Sequence, residues 1–431
     1  NGIIMIKNIF FKLSSNLICI FFIFIIRLIR PIFLIKFNLS HSARYGHFVG
    51  ILSLYISRKE KKMIKNLGNY EFFIHDNIIC NAQIEKLFKK KINFFPSFFY
   101  PLIKFNSIIP GGNTHIINYQ KDYFDKRVIF EHRDVYNIIN ETNPVVEFNN
   151  SDIQHCKNKL KELNISESDK IIILNLRDKN YLKKIYPQKN FNYKTQNVDI
   201  DNYNKTINEL VNKGYKVIRT GLYHEKKLNI NNKNYIDLFS NNIRSDLLET
   251  YLIYKCIFQI GSFSGGSIAA QFIFRKPSII TNQIPITESH TWSKKMYVIF
   301  KKIFDKKRKI NITTSEYFEL LNTNFGPKFL NAVNDHRYIC NKPNKNLFYN
   351  YNISDFEIIE NNEKEIFDVV SEVLNITKYQ KFDNENKENL IFKRIFLKNM
   401  ENYSILKKFH GKSFNINIGE KFLKDNTNFL N

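Results

Sequence analysis

Between residues 150 and 285 short apolar runs alternate with segments whose apolar residues recur every three or four positions. "KIIILNLRD" is the run of Ile and Leu that fills a strand buried on both faces, followed by a polar loop. "DIDNYNKTINELVNKG" predicts a helix with an Asp cap and a closing Gly214. "YKVIRTG" and "YIDLF" predict the next two strands, and "RSDLLETYLIYKC" a second capped helix. "IFQIGSFSGGS" reads as a strand entering a glycine turn, "IAAQFIFRK" as the helix after it, and "PSIITN" as one more strand. Strand and helix alternating at roughly 30-residue intervals predict a parallel sheet with helices on both faces.

The flanks are less regular, and no internal repeat is visible. "HSARYGHFVGILSLYI" predicts a loop entering an amphipathic helix from about Phe48, "YEFFIHD" a strand, and "AQIEKLFKKKINFF" a helix on Ile84, Leu87 and Phe88. Pro96, Pro101 and the "PGG" at 110–112 mark a loop-rich region, and "SDIQHCKNKLKELNI" opens on a Ser-Asp cap signal. In the tail "IIENNEKEIFDVVSEVLN" predicts an acidic-capped helix and "NLIFKRIFLKNM" another. Near the amino end residues 17–26 are apolar, then broken by Arg27, Arg30 and Pro31. That is about half the length of about 20 residues needed to span a bilayer, and no small-residue cleavage site follows. The segment predicts a helix lying in a membrane interface, with Lys7, Lys12, Arg27, Arg30 and Lys36 toward lipid phosphates, or else a helix packed on the body. The chain opens on Asn1, so the expectation is either a true start at Met5 or a truncated sequence. The expected division is a membrane-associating helix at 1–39, a first Rossmann-like unit at 40–150, a second at 151–375, and a helical extension at 376–431.

With 431 residues, 43% hydrophobic and 15% aromatic, the chain has material for two or three folded domains. Its net charge of +25 suits nucleic acid, an anionic membrane or a phosphorylated substrate, but the excess of Lys, Asn, Ile and Phe also matches the bias of an AT-rich genome. Charge therefore selects no function. The basic residues are spread out, and runs such as "KKK" at 89–91 read as solvated faces, so no nucleic-acid partner is expected. Five widely spaced cysteines, with no CxxC and no Cys/His cluster, argue for a reducing compartment and against a disulfide framework or a zinc site. Neither a metal nor a cofactor is expected.

Candidate chemistry gathers where strands end, because open parallel sheets bind ligands beyond the carboxyl ends of their strands. Asn175, Arg177 and Asp178 follow one strand, Arg219 and Gly221 another, Ser262, Ser264, Gly265, Gly266 and Ser267 a third, and Asn282 closes "PSIITN". With only 14 glycines in the chain, the Gly265–Gly266 pair is a marked feature. A glycine turn into a helix exposes N–H groups suited to phosphate, serines add hydroxyl donors, and Arg can grip a diphosphate bidentately. The turn is neither a G-K-S/T phosphate loop nor a GxGxxG fingerprint, and packing of the turn or pairing of Arg177 with Asp178 would explain the same residues. "RYGHFVG" supplies Arg44, Gly46, where backbone or ligand approaches closely, and His47, a candidate proton acceptor or a cap of the first helical turn. "DID" at 199–201 reads as a helix cap and not a metal-binding DxD, and Glu288 and His290 stand in reserve.

The order of these motifs, "RYGHFVG", "LNLRDKNYL", "YNKTINELVNKGYKVIRTG", "IGSFSGGSIAAQFIFRKPSIITN" and "IIENNEKEI", resembles a bacterial glycosyltransferase family over residues 40–375. That family is distantly similar to the fucosyltransferase-like branch with two facing Rossmann-type domains, called GT-B. The resemblance implies an α/β GT-B-like fold and metal-independent transfer of a sugar from a nucleotide-sugar donor to a glycan, lipid-linked or envelope acceptor. It implies that Arg177, Arg219 and the 262–266 turn contact the donor diphosphate, and it matches Glu360 and Asn361 to a recurring Glu-Asn pair of undefined role. The HxRxxD strand end of the fucosyltransferase-like branch stands here as Asn175, Arg177 and Asn180, which weakens the case for GDP-fucose specifically as the donor. The expected location is cytoplasmic, peripheral or monotopic at the inner face of a bacterial inner membrane. A polysaccharide pyruvyltransferase and a non-catalytic basic membrane- or nucleic-acid-binding protein are the alternatives.

Overall fold

A computed structural model describes residues 2–64, 67–117, 132–177, 194–224, 226–330, 340, 347–380, 382, 386–411 and 414–431. Helix α1 (Gly2–Leu28) precedes β1 (Ile35–Leu39), α2 (Tyr45–Glu60), β2 (Tyr70–Ile74), α3 (Ala82–Phe88), β3 (Asn93–Phe95) and α4 (Pro101–Ile108). The three strands form a parallel sheet in the order β1-β2-β3. A parallel bridge from Phe37 to Ile116 begins a further pairing at the free edge of β1. Side chains alternate across a strand, and "EFFI" is apolar on both sides. Phe72 and Ile74 join Phe37, Leu102 and the α1 residues Cys19, Ile23 and Ile26. Phe73 turns the other way, into the core with α2 and α3.

Two expectations need correction here. The helix foreseen as amphipathic from about Phe48 begins at Tyr45, and every residue from Phe48 to Arg58 is buried. A helix covered all round is a central element, and α2 lies between the first sheet and α8 of the second unit, sharing one continuous core with both. The stretch read as loop-rich carries α4, which Pro101 opens at a position where its missing N–H costs nothing.

The second sheet is built from β4 (Ile171–Asn175), β5 (Lys216–Arg219), β6 (Tyr235–Asp237), β7 (Phe258–Ser262), β8 (Ser278–Gln283) and β9 (Met296–Phe300), with the edge strand β13 (Asn417–Ile418). Between them run α5 (Asn150–Glu162), α6 (Asn204–Asn212), α7 (Asp246–Lys255) and α8 (Ala269–Phe274), the first of these preceding β4. Strand order is β13-β9-β8-β7-β4-β5-β6, all parallel. Renumbered from β4, the six strands from β6 to β9 read 3-2-1-4-5-6, the doubly wound Rossmann order. The protein is therefore an α/β molecule with two Rossmann-type parallel sheets.

Caps fall close to where composition placed them. Ser245 accepts the Leu248 N–H at the start of α7, and Asn149, just before the Ser-Asp signal, accepts the Asp152 N–H at the start of α5. Asp199 accepts the Asp201 N–H to open the turn into α6, and Gly214 follows that helix at φ +85°. Three short strands, β10 (Lys302–Asp305), β11 (Ile310–Asn311) and β12 (Phe356–Ile359), make a small antiparallel sheet that periodicity did not show. Helices α9 (Glu363–Tyr379) and α10 (Lys387–Met400) follow. Because β13 pairs with β9, the expected helical extension is structurally part of the second sheet.

Candidate functional site

The chain builds β4, β5 and β6 outward in one direction, then returns to lay β7 on the opposite side of β4. The loops after β4 and β7 consequently part to opposite faces, which opens a crevice between them. Asn175 ends β4 opposite Gly261 of β7. The backbone N–H of Arg177 donates to Ser262 Oγ at 2.7 Å, and its guanidinium donates to the Phe263 carbonyl at 3.3 Å. Ser267 Oγ lies 2.6 Å from Ser262 O and 2.8 Å from Ser264 Oγ, so the Ser262 and Ser267 hydroxyls hold the turn together instead of facing outward. Gln259, buried on β7, clamps the turn from beneath through the Gly266 carbonyl and the Ala270 N–H. A Cβ added at Gly266 would stand 2.4 Å from Asn175 Oδ1, so the bare glycine lets the Asn175 amide sit against the turn. Gly221, at φ +115°, lies against the Asn175 amide from the β5 side. The helix after the turn is shorter than expected, with one 3-10 turn and then the six residues of α8, which leaves little helix dipole for an anion.

The crevice is closed from the other side by α2. A Cβ built on Gly46 would lie 2.6 Å from Gly265 Cα, and one on Gly265 would lie 2.6 Å from Gly46 N. The close approach anticipated at Gly46 is thus backbone against backbone between the two units. Next to it stands a cluster of imidazoles. The His47 and His132 ring centroids are 4.3 Å apart with the planes tilted by 32°, and the His41 ring lies 6.0 Å from that of His47. His290 is 4.5 Å from the Trp292 ring and borders Phe263 of the glycine turn. Burial first, and then the neighbouring charges of Arg44 and His41, hold His47 well below the ordinary histidine range. His132 and His290 are lowered likewise by burial and by cations around them. Neutral at pH 7, His47 keeps a lone pair to accept a proton. Arg44, exposed at the N-cap of α2, makes no side-chain cap bond there.

Other anticipated residues lie elsewhere. The Arg219 guanidinium is 1% exposed and donates to Asp237 Oδ2 at 3.2 Å and to the Lys226 carbonyl. Burial raises the Asp237 carboxyl, yet bonds from His224 and the Ser240 N–H and the Arg219 charge prevail and bring it down to about 2. Asn282 is fully buried and exchanges bonds with Asn361 in both directions, at 2.6 and 2.8 Å, while donating to Tyr203 Oη. The Glu-Asn pair is part of the same clip, with Glu360 accepting from Lys301 and from the Asp199 N–H. Asp178 and Asn180 lie outside the described residues. Among the described residues no group of three or more His, Cys, Asp or Glu side chains is arranged to hold a metal ion. Sequence reading missed His132 and the clamp that Gln259 makes beneath the turn. The only signal for His132 was "EHRD", a dense charged run beside apolar segments.

The sequence matches no protein-family model and no curated protein. Among solved structures it is similar to E. coli ADP-heptose lps heptosyltransferase II, at 13% identity and a TM-score of 0.38, over 62% of this chain and 90% of that one. A likeness that loose carries no function across.

Proposed function

We propose that the protein is a GT-B-type glycosyltransferase that moves a sugar from a nucleotide-sugar donor to a glycan or lipid-linked acceptor without a metal. The observation that carries this reading is the meeting of the β4/β7 crevice with the amino end of α2 at Gly46 and Gly265. A doubly wound sheet binds nucleotides at that crevice, and the second parallel unit standing across it would present the acceptor from the facing side. In this reading Asn175, Arg177 and the 264–266 backbone take the donor diphosphate. The acceptor hydroxyl gives its proton to His47 as its oxygen bonds to the anomeric carbon. The bond to the diphosphate breaks, and the charge left on that group is stabilised by Arg177 and turn N–H groups already in place.

The reading includes a membrane surface. Helix α1 buries Ser15, Cys19, Ile23 and Ile26 against the body, yet Leu17, Phe21, Phe24 and Leu28 on its other side are 69, 67, 59 and 81% exposed. No described helix is long and apolar enough to cross a membrane. An exposed apolar stripe beside Lys12 and Arg30 suits a helix lying in the headgroup region, at the inner face of a bacterial inner membrane. The test of the transferase reading is thermal melting with UDP, GDP, CMP, ADP and TDP, with and without a divalent metal, on wild type and Arg177→Ala. One nucleotide should raise the midpoint without metal and lose its effect in the variant. Absence of any shift in folded protein would overturn the reading and favour a donor without a nucleotide, as in pyruvyl transfer.

A further inference from the structure

The first sheet has a switch point of its own. The segment at Ile116 pairs with β1 on the side away from β2, so a crevice opens beyond the carboxyl end of β1. His41, Arg44 and His47 follow that strand end, and the His132 ring lies 4.3 Å from that of His47. From the second unit His290 comes within electrostatic range of both His132 and His47. This crevice faces the β4/β7 crevice across the Gly46–Gly265 contact.

The chemistry of the crevice is one-sided. His132 Nδ1 and His290 Nδ1 are buried with no hydrogen-bond partner among the described residues, and His290 as a whole is 8% exposed. A buried polar atom left unpaired is costly, and such atoms point to a missing partner. The described charges that act most strongly on these rings are all positive or potentially so: Arg44, His47, Arg133 and His290 on His132, and Arg133, His410 and His47 on His290. Arg133 is held between the Trp292 and Phe409 rings and donates to the Glu288 and Ser289 carbonyls, so its charge is fixed behind the cluster. Unpaired imidazole nitrogens beside fixed guanidinium charge form a receptor for an oxyanion. On binding one, the rings take up protons and become charge-assisted donors.

We propose that His132, His290 and Arg44 form an oxyanion subsite, and that the acceptor of the proposed transfer is therefore an acidic molecule carrying a phosphate or carboxylate. The subsite rests on the transferase reading only for the word acceptor. The charge His132 gains, on a ring 4.3 Å away, together with burial keeps His47 neutral as the base.

Sulfate is the probe, because its charge is constant between pH 6 and 8 and any proton taken up must come to the protein. Calorimetric titration of the full chain in two buffers of different ionisation enthalpy reads that uptake directly. The expected result is saturable sulfate binding with net proton uptake, several-fold tighter at pH 6 than at pH 8. It should persist under a saturating nucleotide and be lost in both His132→Gln and His290→Gln, with the nucleotide-induced melting shift unchanged in each. Binding without proton uptake, or unchanged in both variants, overturns the subsite. Competition between sulfate and nucleotide overturns the acceptor assignment and gives the anion to the donor. If no nucleotide binds at all the transferase reading falls, while the sulfate titration still decides whether the oxyanion subsite exists.

Discussion

Arg177 and Arg219 end neighbouring elements of one sheet and looked equivalent in the sequence, yet their surroundings separate them. Arg177 is half-buried with its backbone tied to Ser262, at the crevice. Arg219 is sealed in with Asp237 and His224. Removing one partner of a buried ion pair costs about 3–5 kcal/mol, because the other charge remains without compensation. Arg219→Ala should therefore lower the melting midpoint of the unliganded protein markedly, and by more than Arg177→Ala, which should abolish the nucleotide shift. Equal midpoints for the two variants in unliganded protein would show that the Arg219 pair is not structural. The comparison also explains why arginine misled at this position. In a chain that uses Lys for most of its charge, Arg133, Arg219 and Arg275 all stand in buried polar sites. There the planar fork reaches two or more carbonyl, carboxylate or hydroxyl oxygens in fixed directions, which a point-charge ammonium does not. Arginine in such a sequence marks fixed polar geometry, of which a ligand site is only one kind.

Helix α1 shows what an element's periodicity reveals and what it hides. The apolar run was plain in the sequence, but its two faces were not separable, since Cys19, Ile23 and Ile26 inside and Leu17, Phe21 and Phe24 outside are alike in character. Arg27, foreseen toward lipid, instead donates to the Ile109 and Pro110 carbonyls and the Asn106 side chain, closing the end of α4. Lys36 is buried on β1, where burial lowers it and Glu71 partly restores it. Lys12 and Arg30 remain outward. A Leu17→Asp, Phe21→Asp double variant should keep its melting midpoint, since both side chains are exposed. It should also lose co-sedimentation with vesicles of anionic phospholipid, and undiminished sedimentation would remove the membrane surface from the proposed function. The same reasoning sorts the rest of the fold. Strands β4, β5 and β7 and helices α6 and α7 were readable because each has one environment along its length and its own cap or turn residue. Helix α2 was misread as amphipathic because its coverage comes from elements distant in sequence. Strand β13 escaped because two residues carry no period, and its place is fixed only by pairing with β9.

At the scale of the whole molecule the two sheets are not loosely tethered. One apolar core runs from Phe48 to Phe429 through both, and Arg275 at the end of α8 ties Ser57 of α2 and Thr142 together at 2.7 and 2.9 Å. Burial lowers that guanidinium to about 10, still charged at neutral pH. Large independent motion of the two units would have to break this core, so the crevice between them is preformed around the Gly46–Gly265 contact. The adjacent glycines of the turn should then respond differently to one added methyl group. At Gly265 the Cβ meets the backbone of Gly46 at 2.6 and 2.8 Å, which can yield only by moving one unit against the other. At Gly266 it meets the Asn175 side chain, which can rotate away. Gly265→Ala should therefore cost about 1–3 kcal/mol, the usual range for overpacking, and appear as a lower midpoint in unliganded protein. Gly266→Ala should spare the midpoint by comparison but displace the Asn175 amide from the crevice and weaken the nucleotide shift. If Gly265→Ala instead melts like wild type, the two units do not meet at these glycines, and the catalytic geometry drawn from that contact would have to be rebuilt with a wider cleft.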